Sequence, residues 1–264
     1  MINIDKLVAS MRSFRGNRPF DHCVVDGFFE SELAIKLEKE FLPYNSDEWF
    51  VYDNVLENKK ALNNWNKYPE TTYKVFSHLV SDEFVKILEK FCGSLYSDPG
   101  LHGGGWHIHG TGGNLNPHLD YHIHPKLKKV RKLNIIIYLS SNLNPEEHGG
   151  HLGLWAHDSD NSAPGNLISE IEPLFNRAIL FDTTQNSWHG MSRKLQAPAD
   201  IYRKSLAIYY LTDPTIDDFD GRQKALYAAR PEQKGQHDIE ELIRQRADSE
   251  SFKNAYRSNT PQTD

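Results

Sequence analysis

Hydrophobic positions in the first hundred residues recur at helical spacing in three stretches. The first helix is predicted between Ser31, which can cap it, and Pro43, which ends it. The second covers Val75–Val80. The third follows Ser81 as its cap and stops at Gly93. These apolar stripes are typical of packing surfaces, so we assign them no chemistry and predict that they support a core formed elsewhere in the chain.

After Gly100 the hydrophobic pattern changes to short segments separated by glycine-rich turns such as 103–105 and 149–150. Many short strands without interleaved helices favour a β-sandwich or barrel over a parallel α/β sheet. The polar stretch Ala156–Asn166 is predicted to be a surface loop. The predicted strands are Phe20–Val25, Trp106–His109, Leu115–His124, Leu133–Leu139, Leu152–Trp155, Ala178–Phe181 and Ser205–Leu211.

These patterns divide one structural domain into three parts. Residues 1–100 form a helical and strand support, residues 101–213 form the β core, and residues 214–264 form a polar tail. Two short helices are predicted in the tail, over Gln223–Arg230 and Asp238–Arg246. Nothing in the sequence favours a role for the tail in covering a site or in dimerisation, and we expect a monomer or a homodimer.

Composition narrows the functional classes. The chain has 264 residues and a net charge of −6, which does not point to a nucleic-acid surface. Its two cysteines lie far apart, as expected in a reducing compartment. No stretch of about 18 apolar residues is available to span a membrane. We therefore expect a cytoplasmic protein without nucleic-acid or membrane partners.

The segment 116–124 places metal-binding side chains close together. In an extended strand His118 and Asp120 project to the same face, and an imidazole with a carboxylate can provide two ligands of a divalent transition metal. The pair is a weak signal alone and requires a third ligand. Other histidines crowd the same region and individually suit hydrogen-bonded structural roles. They are His102, His107, His109, His122, His124, His148, His151 and His157.

His189 has a different setting, because it follows a hydrophobic strand and precedes Gly190, which lets the backbone approach a ligand closely. Further on, Arg203 begins an otherwise apolar strand. A buried guanidinium needs an anionic partner and can bind a carboxylate through two hydrogen bonds. Ser205 lies on the same strand face, whereas Lys204 should point to the opposite face.

His-x-Asp, a distant His-Gly and Arg-x-Ser on the last core strand together resemble the Fe(II)- and 2-oxoglutarate-dependent oxygenases. More narrowly, the sequence is similar to the prolyl 4-hydroxylase-type branch, which includes collagen-type lysyl hydroxylase domains and many bacterial members. The similarity extends from about Trp106 to Asp213. It includes residues 131–139, 149–152, 173–177 and 181–190.

This resemblance implies a mainly β protein with flanking helices and a double-stranded β-helix core of the jelly-roll or cupin-like type. It implies Fe(II), 2-oxoglutarate and O2 as cofactor and cosubstrates, and no catalytic side chains beyond their ligands. His118, Asp120 and His189 would hold the iron. Arg203 would hold the distal carboxylate of 2-oxoglutarate beside Ser205, and Tyr138 and Asn134 would line the same pocket.

The function implied is hydroxylation of an unactivated C–H bond, in a prolyl or lysyl-type side chain of a peptide or amino acid. A tailoring hydroxylase acting on a small molecule, such as a sugar or secondary metabolite, is the first alternative. A non-catalytic sensor that binds iron and 2-oxoglutarate is another. The last is a cupin-like zinc or manganese site that uses nearby histidines, namely His107, His109, His122 or His124.

Overall fold

The structure, a computed structural model, describes residues 1–215, 224–248 and 250–251. In this part of the chain no helix is long and apolar enough to cross a membrane. The helices are α1 Ile4–Met11, α2 Ser31–Glu40, α3 Glu70–Leu79, α4 Asp82–Cys92, α5 Pro145–His148 and α6 His237–Ala247. The strands are β1 His22–Asp26, β2 Phe50–Asp53, β3 Glu57–Leu62, β4 Tyr96–Ser97, β5 Gly105–His109, β6 Asn114–Leu115, β7 His118–Leu119, β8 Val130–Tyr138, β9 Leu152–Asp158, β10 Ala163–Ile171, β11 Arg177–Asp182, β12 Trp188–Met191, β13 Arg203–Thr212 and β14 Leu226–Tyr227.

The strands form two antiparallel sheets. The larger sheet has the order β1-β11-β8-β13-β5-β3-β2, with β4 paired to β13 and β6 paired to β3. The smaller sheet has the order β10-β9-β12-β7-β14. Buried side chains of the two sheets pack against each other, including Tyr138 and Phe181 from one sheet and Leu152 and Leu154 from the other. The predicted fold class, a double-stranded β-helix with flanking helices, is confirmed.

The two faces of the larger sheet have different roles, because alternate side chains of a strand point to opposite faces. One face packs against the helices, and the other faces the smaller sheet. In β8, Leu133, Ile135 and Ile137 belong to the core that also contains helical residues such as Leu37 of α2 and Phe76 of α3. Asn134 and Tyr138, which are shifted by one residue, are on the opposite face of the sheet. The helices therefore cover one face of the larger sheet and leave its polar side chains to the space between the sheets.

The helix ends test two sequence predictions. Ser81 caps α4, since its hydroxyl accepts a hydrogen bond from the Phe84 N–H at 3.3 Å, and Gly93 ends the helix with a φ of +81°. Ser31, in contrast, is the first residue of α2 and makes no capping hydrogen bond. The cap predicted at Ser31 is wrong, because the helix begins one residue earlier than that assignment requires.

The strand predicted over Leu115–His124 is also wrong as a continuous element. It is divided into β6 and β7 around Pro117, whose nitrogen cannot donate a ladder hydrogen bond. After Asp120 the chain turns. Here the Nδ1 atom of His124 accepts hydrogen bonds from the N–H groups of Lys126 and Leu127, at 3.2 and 2.9 Å. His122 and His124 consequently do not extend a regular strand face that carries His118.

The polar stretch Ala156–Asn166 is a β-hairpin rather than a loop. Strand β9 continues to Asp158, β10 begins at Ala163, and only residues 159–162 connect them. The Asp158 carboxylate organises the turn by accepting hydrogen bonds from the N–H groups of Asp160 and Asn161. The pattern gave no strand signal because β10 lies at a sheet edge, where several of its side chains are exposed to water.

The segments before and after the predicted β core contribute strands that the hydrophobic pattern does not predict. Strands β2 and β3 extend the larger sheet, and β3 pairs with β5. Where the structure describes the predicted helix Gln223–Arg230, it has strand β14, which pairs with β7 in the smaller sheet. Gln223 itself lies outside the described residues. The helix predicted over Asp238–Arg246 is confirmed as α6.

Candidate metal centre

His118 and His189 are brought together by strand pairing in the smaller sheet. His118 lies on β7 and His189 on β12, and the two residues are direct partners in the antiparallel register. Their ring centroids are 4.3 Å apart. The 70 residues between them in sequence conceal this pairing, which depends on the return of β12 alongside β7.

Hydrogen bonds set the orientation of both imidazoles. The Nδ1 atom of His118 is 3.0 Å from the Asn116 carbonyl oxygen, and Nδ1 of His189 is 2.8 Å from the Ser187 carbonyl oxygen. A carbonyl oxygen can only accept, so both Nδ1 atoms carry the proton and both Nε2 atoms carry a lone pair. Such bonds are typical of histidines that bind a metal through Nε2.

The Asp120 carboxylate completes the cluster. Its Oδ1 atom is 3.9 Å from Nε2 of His118, and its Oδ2 atom is 3.7 Å from Nε2 of His189. One potential ligand atom from each of the three residues lies within 4.8 Å of the others. Oδ2 is buried and has no hydrogen-bond partner among the described residues, which would be costly unless it met a cation. We call this group the His118–Asp120–His189 cluster.

Two residues that the sequence analysis did not identify hold Asp120. The Nη1 atom of Arg131 is 3.4 Å from Oδ1, and the Tyr209 hydroxyl donates to the same oxygen at 3.4 Å. The Arg131 guanidinium carbon lies 3.5 Å from the Tyr209 ring centroid. A bulge in the β8–β13 ladder places Arg131 here. Tyr209 shares the strand face of Ser205, so alternation could have identified it.

The electrostatics of the cluster favour its metal-binding forms. Burial, together with the neighbouring His189, lowers the pKa of His118 to about 3. Burial also lowers the pKa of His189. Burial opposes ionisation of Asp120, but Arg131, the two histidines of the cluster and Lys59 together outweigh it and hold the pKa of that carboxyl below its ordinary value. Two neutral imidazoles and an ionised carboxylate are the ligand set of the non-haem Fe(II) facial triad. The residues therefore fit this metal.

Arg203 lies on β13 in the facing sheet and is buried. Its Nε donates to the Gly150 carbonyl oxygen at 2.7 Å, and its Nη2 donates to the Tyr138 hydroxyl at 3.3 Å. A side chain at Gly150 would approach the Arg203 Cδ atom to 3.0 Å, which explains the glycine. No described carboxylate forms an ion pair with Arg203, and burial lowers its pKa. A buried guanidinium without an ion-pair partner among the described residues is suited to binding an anionic ligand.

The other predicted pocket residues share the space between the sheets but occupy two levels. Ser205 and Tyr138 are buried and are paired directly across β13 and β8. Asn134 is paired with Tyr209, at the level of the residue that contacts Asp120. Neither polar atom of its side-chain amide has a hydrogen-bond partner among the described residues. Lys204 points away, and its Nζ donates to the Glu38 carbonyl oxygen of α2 at 3.3 Å.

The nearby histidines separate into two groups. His107 and His109 are paired with Ser205 and Arg203 and face the space between the sheets. His124 lies elsewhere, with its Nε2 atom 3.3 Å from an Asp98 oxygen. Among the described residues the only group of histidine, cysteine or carboxylate side chains placed to bind a metal is the His118–Asp120–His189 cluster. Within the described part of the chain, His107, His109, His122 and His124 belong to no such group.

The segment after residue 224 packs directly behind the cluster. Tyr227 is the register partner of His118 in β14, and its ring stacks on the imidazole with centroids 5.1 Å apart. Buried Arg230 donates hydrogen bonds of 2.6 Å from Nη2 to the Asn114 side-chain oxygen and to the Met191 carbonyl. Its Nε donates to the Asn116 side-chain oxygen at 3.1 Å. This C-terminal segment thus joins the strands on both sides of the two histidines.

Replacing Arg230 is expected to destabilise the protein. Arg230→Met retains an apolar stem but loses three charge-assisted hydrogen bonds and leaves buried acceptors without a donor. At about 1.5–3 kcal/mol for each bond to a charged group, the free energy of unfolding should fall by about 3 kcal/mol or more. Urea denaturation measures this quantity. Arg244→Met is the control, because Arg244 is exposed and its ion pair is with Glu241 on the same helix. Equal effects of the two variants would contradict the role of Arg230.

Comparison with known proteins agrees with this site. The sequence model of the family described as the 2OG-Fe(II) oxygenase superfamily matches residues 104–211. That range contains all three residues of the His118–Asp120–His189 cluster and Arg203. Residues 104–211 therefore form a domain that matches this superfamily, whose members are 2-oxoglutarate-dependent oxygenases. The superfamily uses Fe(II), 2-oxoglutarate and O2. No curated protein matches the sequence.

Solved structures of prolyl hydroxylases share the fold. A prolyl hydroxylase from Trichoplax adhaerens, in complex with a peptide fragment of the oxygen degradation domain of hypoxia inducible factor, has a TM-score of 0.55 at 17% identity and covers 79% of this chain and 88% of its own. A Pseudomonas putida prolyl-4-hydroxylase has a TM-score of 0.54 at 15% identity, covering 79% and 100%. Prolyl 4-hydroxylases from Phytophthora capsici have a TM-score of 0.54 at 18% identity, covering 83% and 72%.

Proposed function

We propose that this protein hydroxylates an unactivated C–H bond, with iron held by the His118–Asp120–His189 cluster and 2-oxoglutarate held by Arg203. The observation that carries the proposal is the convergence of two Nε2 lone pairs and an unpartnered carboxylate oxygen. When bound, Fe(II) and 2-oxoglutarate supply the oxidising chemistry, in which 2-oxoglutarate is decarboxylated to succinate and one atom of O2 enters the C–H bond.

The residues of the chain position and shield this chemistry. His118, Asp120 and His189 would supply three ligands to Fe(II), which would leave room on the ion for 2-oxoglutarate and O2. Carbonyl acceptors fix the two imidazoles, while Arg131 and Tyr209 fix Asp120. In the facing sheet, Arg203 would bind the distal carboxylate of 2-oxoglutarate, with Ser205 and the Tyr138 hydroxyl beside it and Asn134 farther along the pocket.

For the substrate class, we propose a prolyl or lysyl-type side chain in a peptide or amino acid. The support is the fold shared with prolyl hydroxylases from three organisms, one of them in complex with a peptide. Candidate peptides and free amino acids can be compared by the succinate released on admission of oxygen. Mass spectrometry of the substrate should then show the addition of one oxygen atom.

The cofactor site can be tested without knowing the substrate. Metal-stripped protein is titrated anaerobically with Fe(II) and then with 2-oxoglutarate, and the weak visible charge-transfer band of 2-oxoglutarate chelated to ferrous iron is followed. We expect the band of the wild type to saturate at one Fe(II) per protein, and we expect no band in His189→Ala. His78→Ala is the control, since His78 lies on α3 in the helical support. A wild-type protein that binds zinc tightly but forms no band would overturn the proposal.

A further inference from the structure

Lys59 places a positive charge in the space between the sheets. In the β3–β5 ladder Ala61 is opposite His107, so Lys59, two residues before Ala61, shares the inner face. Its side chain is only 14% exposed. The nearest described carboxylate oxygen is Glu57 Oε2, at 3.8 Å from Nζ, which is too far for a hydrogen bond. The ammonium group also lies 4.9 Å from the centroid of the Tyr52 ring. A distant ion pair and a cation–π contact leave its hydrogen-bond donors without an acceptor among the described residues, which is costly for a largely buried charge.

Glu57 is within ion-pair distance of Lys59, but its carboxylate oxygens are already hydrogen-bonded to other groups. The Nη2 atom of Arg246 donates to Oε1 at 2.7 Å, and the Tyr227 hydroxyl donates to Oε2 at 2.9 Å. Glu57 is therefore balanced by the Arg246 guanidinium of α6, and the ammonium of Lys59 adds to the positive charge between the sheets.

Two imidazoles lie beside this ammonium group. His107 and His109 alternate along the inner face of β5, which pairs with β3. His109 is only 2% exposed, and neither of its ring nitrogens has a hydrogen-bond partner among the described residues. Burial lowers the pKa of both histidines well below the ordinary value, so each is a neutral ring that can donate one hydrogen bond. Lys59, His107 and His109 together form what we call the basic subsite.

The basic subsite adjoins the candidate metal centre. His107 and His109 are the register partners of Ser205 and Arg203, and the charge of Lys59 acts on His118, Asp120 and His189. In the loaded site the negative charges of Asp120 and of the two carboxylates of 2-oxoglutarate would be opposed by Fe(II), Arg131 and Arg203. Lys59 would still lack an anion within hydrogen-bond distance. One anionic group on the substrate would supply it.

We propose that the basic subsite binds an anionic group, a carboxylate or a phosphate, that the substrate carries near the C–H bond to be oxidised. This inference rests on the proposed function, since it takes the adjoining cluster as the site of oxidation. Lys59 supplies the charge, and His107 and His109 supply hydrogen-bond donors to the anion's oxygen atoms. A substrate of this kind would be held by its anionic end, with its reacting carbon directed toward the cluster.

The test uses two pairs of probes that differ only in the anionic group. N-acetyl-L-proline is compared with N-acetyl-L-prolinamide, and glucose 6-phosphate with glucose. Each is titrated calorimetrically, under anaerobic conditions, into protein loaded with Fe(II) and 2-oxoglutarate. One charge-assisted hydrogen bond of about 1.5–3 kcal/mol predicts at least about tenfold tighter binding of one anionic probe than of its neutral partner. The pair that shows this preference identifies the anion as carboxylate or phosphate.

Lys59→Met should abolish the preference, because it keeps the length of the stem and removes the charge. The matched control is Lys60→Met, whose ammonium lies on the other face of the strand and donates to the Tyr44 carbonyl oxygen at 2.6 Å. The proposal is overturned if the wild type shows no preference in either pair, or if the preference survives in Lys59→Met. It is also overturned if Lys59→Met weakens 2-oxoglutarate binding instead, which would assign Lys59 to the cosubstrate.

Failure of the proposed function gives a different result. In that case the wild-type protein forms no charge-transfer band at all. The probes are then titrated into protein without iron and 2-oxoglutarate, where a preference that is lost in Lys59→Met still reports anion binding by the basic subsite. A band without a preference refutes only the basic subsite.

Discussion

Asp120→Ala is expected to remove Fe(II) from the protein and to abolish succinate formation. The substitution deletes the one carboxylate of the His118–Asp120–His189 cluster and leaves the Arg131 guanidinium without its partner oxygen at 3.4 Å. Loss of a residue that only orients a metal ligand typically costs 10–100-fold in metal affinity. Loss of the ligand itself should therefore weaken Fe(II) binding by more than about 100-fold.

Iron content after desalting and anaerobic Fe(II) titration measure this effect independently of turnover. Asp158→Ala is a suitable control, because Asp158 lies in the smaller sheet but uses its carboxylate to organise the β9–β10 turn. His118→Ala should behave like Asp120→Ala. If both variants retain stoichiometric iron and form succinate, the assignment of the cluster as the metal site is wrong.

Arg203→Ala is expected to weaken 2-oxoglutarate binding at least about a hundredfold. Its Nε and one Nη2 hydrogen are used by Gly150 and Tyr138, and the remaining N–H groups have no described partner. Two charge-assisted hydrogen bonds to a carboxylate, at about 1.5–3 kcal/mol each, correspond to about 3–6 kcal/mol. Because each 1.4 kcal/mol changes the affinity tenfold, the affinity for 2-oxoglutarate should fall by at least about a hundredfold.

The dependence of the charge-transfer band on 2-oxoglutarate concentration measures this affinity at saturating Fe(II). Lys204→Ala provides the control, since the neighbouring ammonium group reaches the Glu38 carbonyl oxygen on the helical side of the sheet. The control should change the affinity less than about fivefold, which corresponds to about 1 kcal/mol. A larger loss in Lys204→Ala than in Arg203→Ala would transfer the anion-binding role to Lys204.

Local sequence determined the elements whose signals lie within a few residues. Ser81 and Gly93 mark the ends of α4 because a cap and a left-handed stop depend on neighbouring backbone groups. Alternation along β13 separated Arg203 and Ser205 from Lys204, because adjacent residues of a strand face opposite sides. The fold class and the residues of the cluster could be predicted because these signals occur together with a family resemblance.

Two strands, β10 and β14, were predicted wrongly from the sequence because their local signals are weak. Strand β10 lies at an edge and has an exposed surface, so it lacks the alternation that marks a half-buried strand. Strand β14 has only two residues, and its pairing with β7 is a contact across more than a hundred positions of sequence. Neither strand contains a hydrophobic period from which it could be predicted.

The support of the site depends on contacts between strands that are far apart in sequence. A bulge in β8 brings Arg131 to Asp120, and strand β14 brings Tyr227 against His118. Lys59 enters the same space from β3, far from the cluster in sequence. The ligand types could be predicted from the sequence by itself, since their chemistry belongs to the side chains. Their partners could not, because burial and the register of distant strands determine which charges meet.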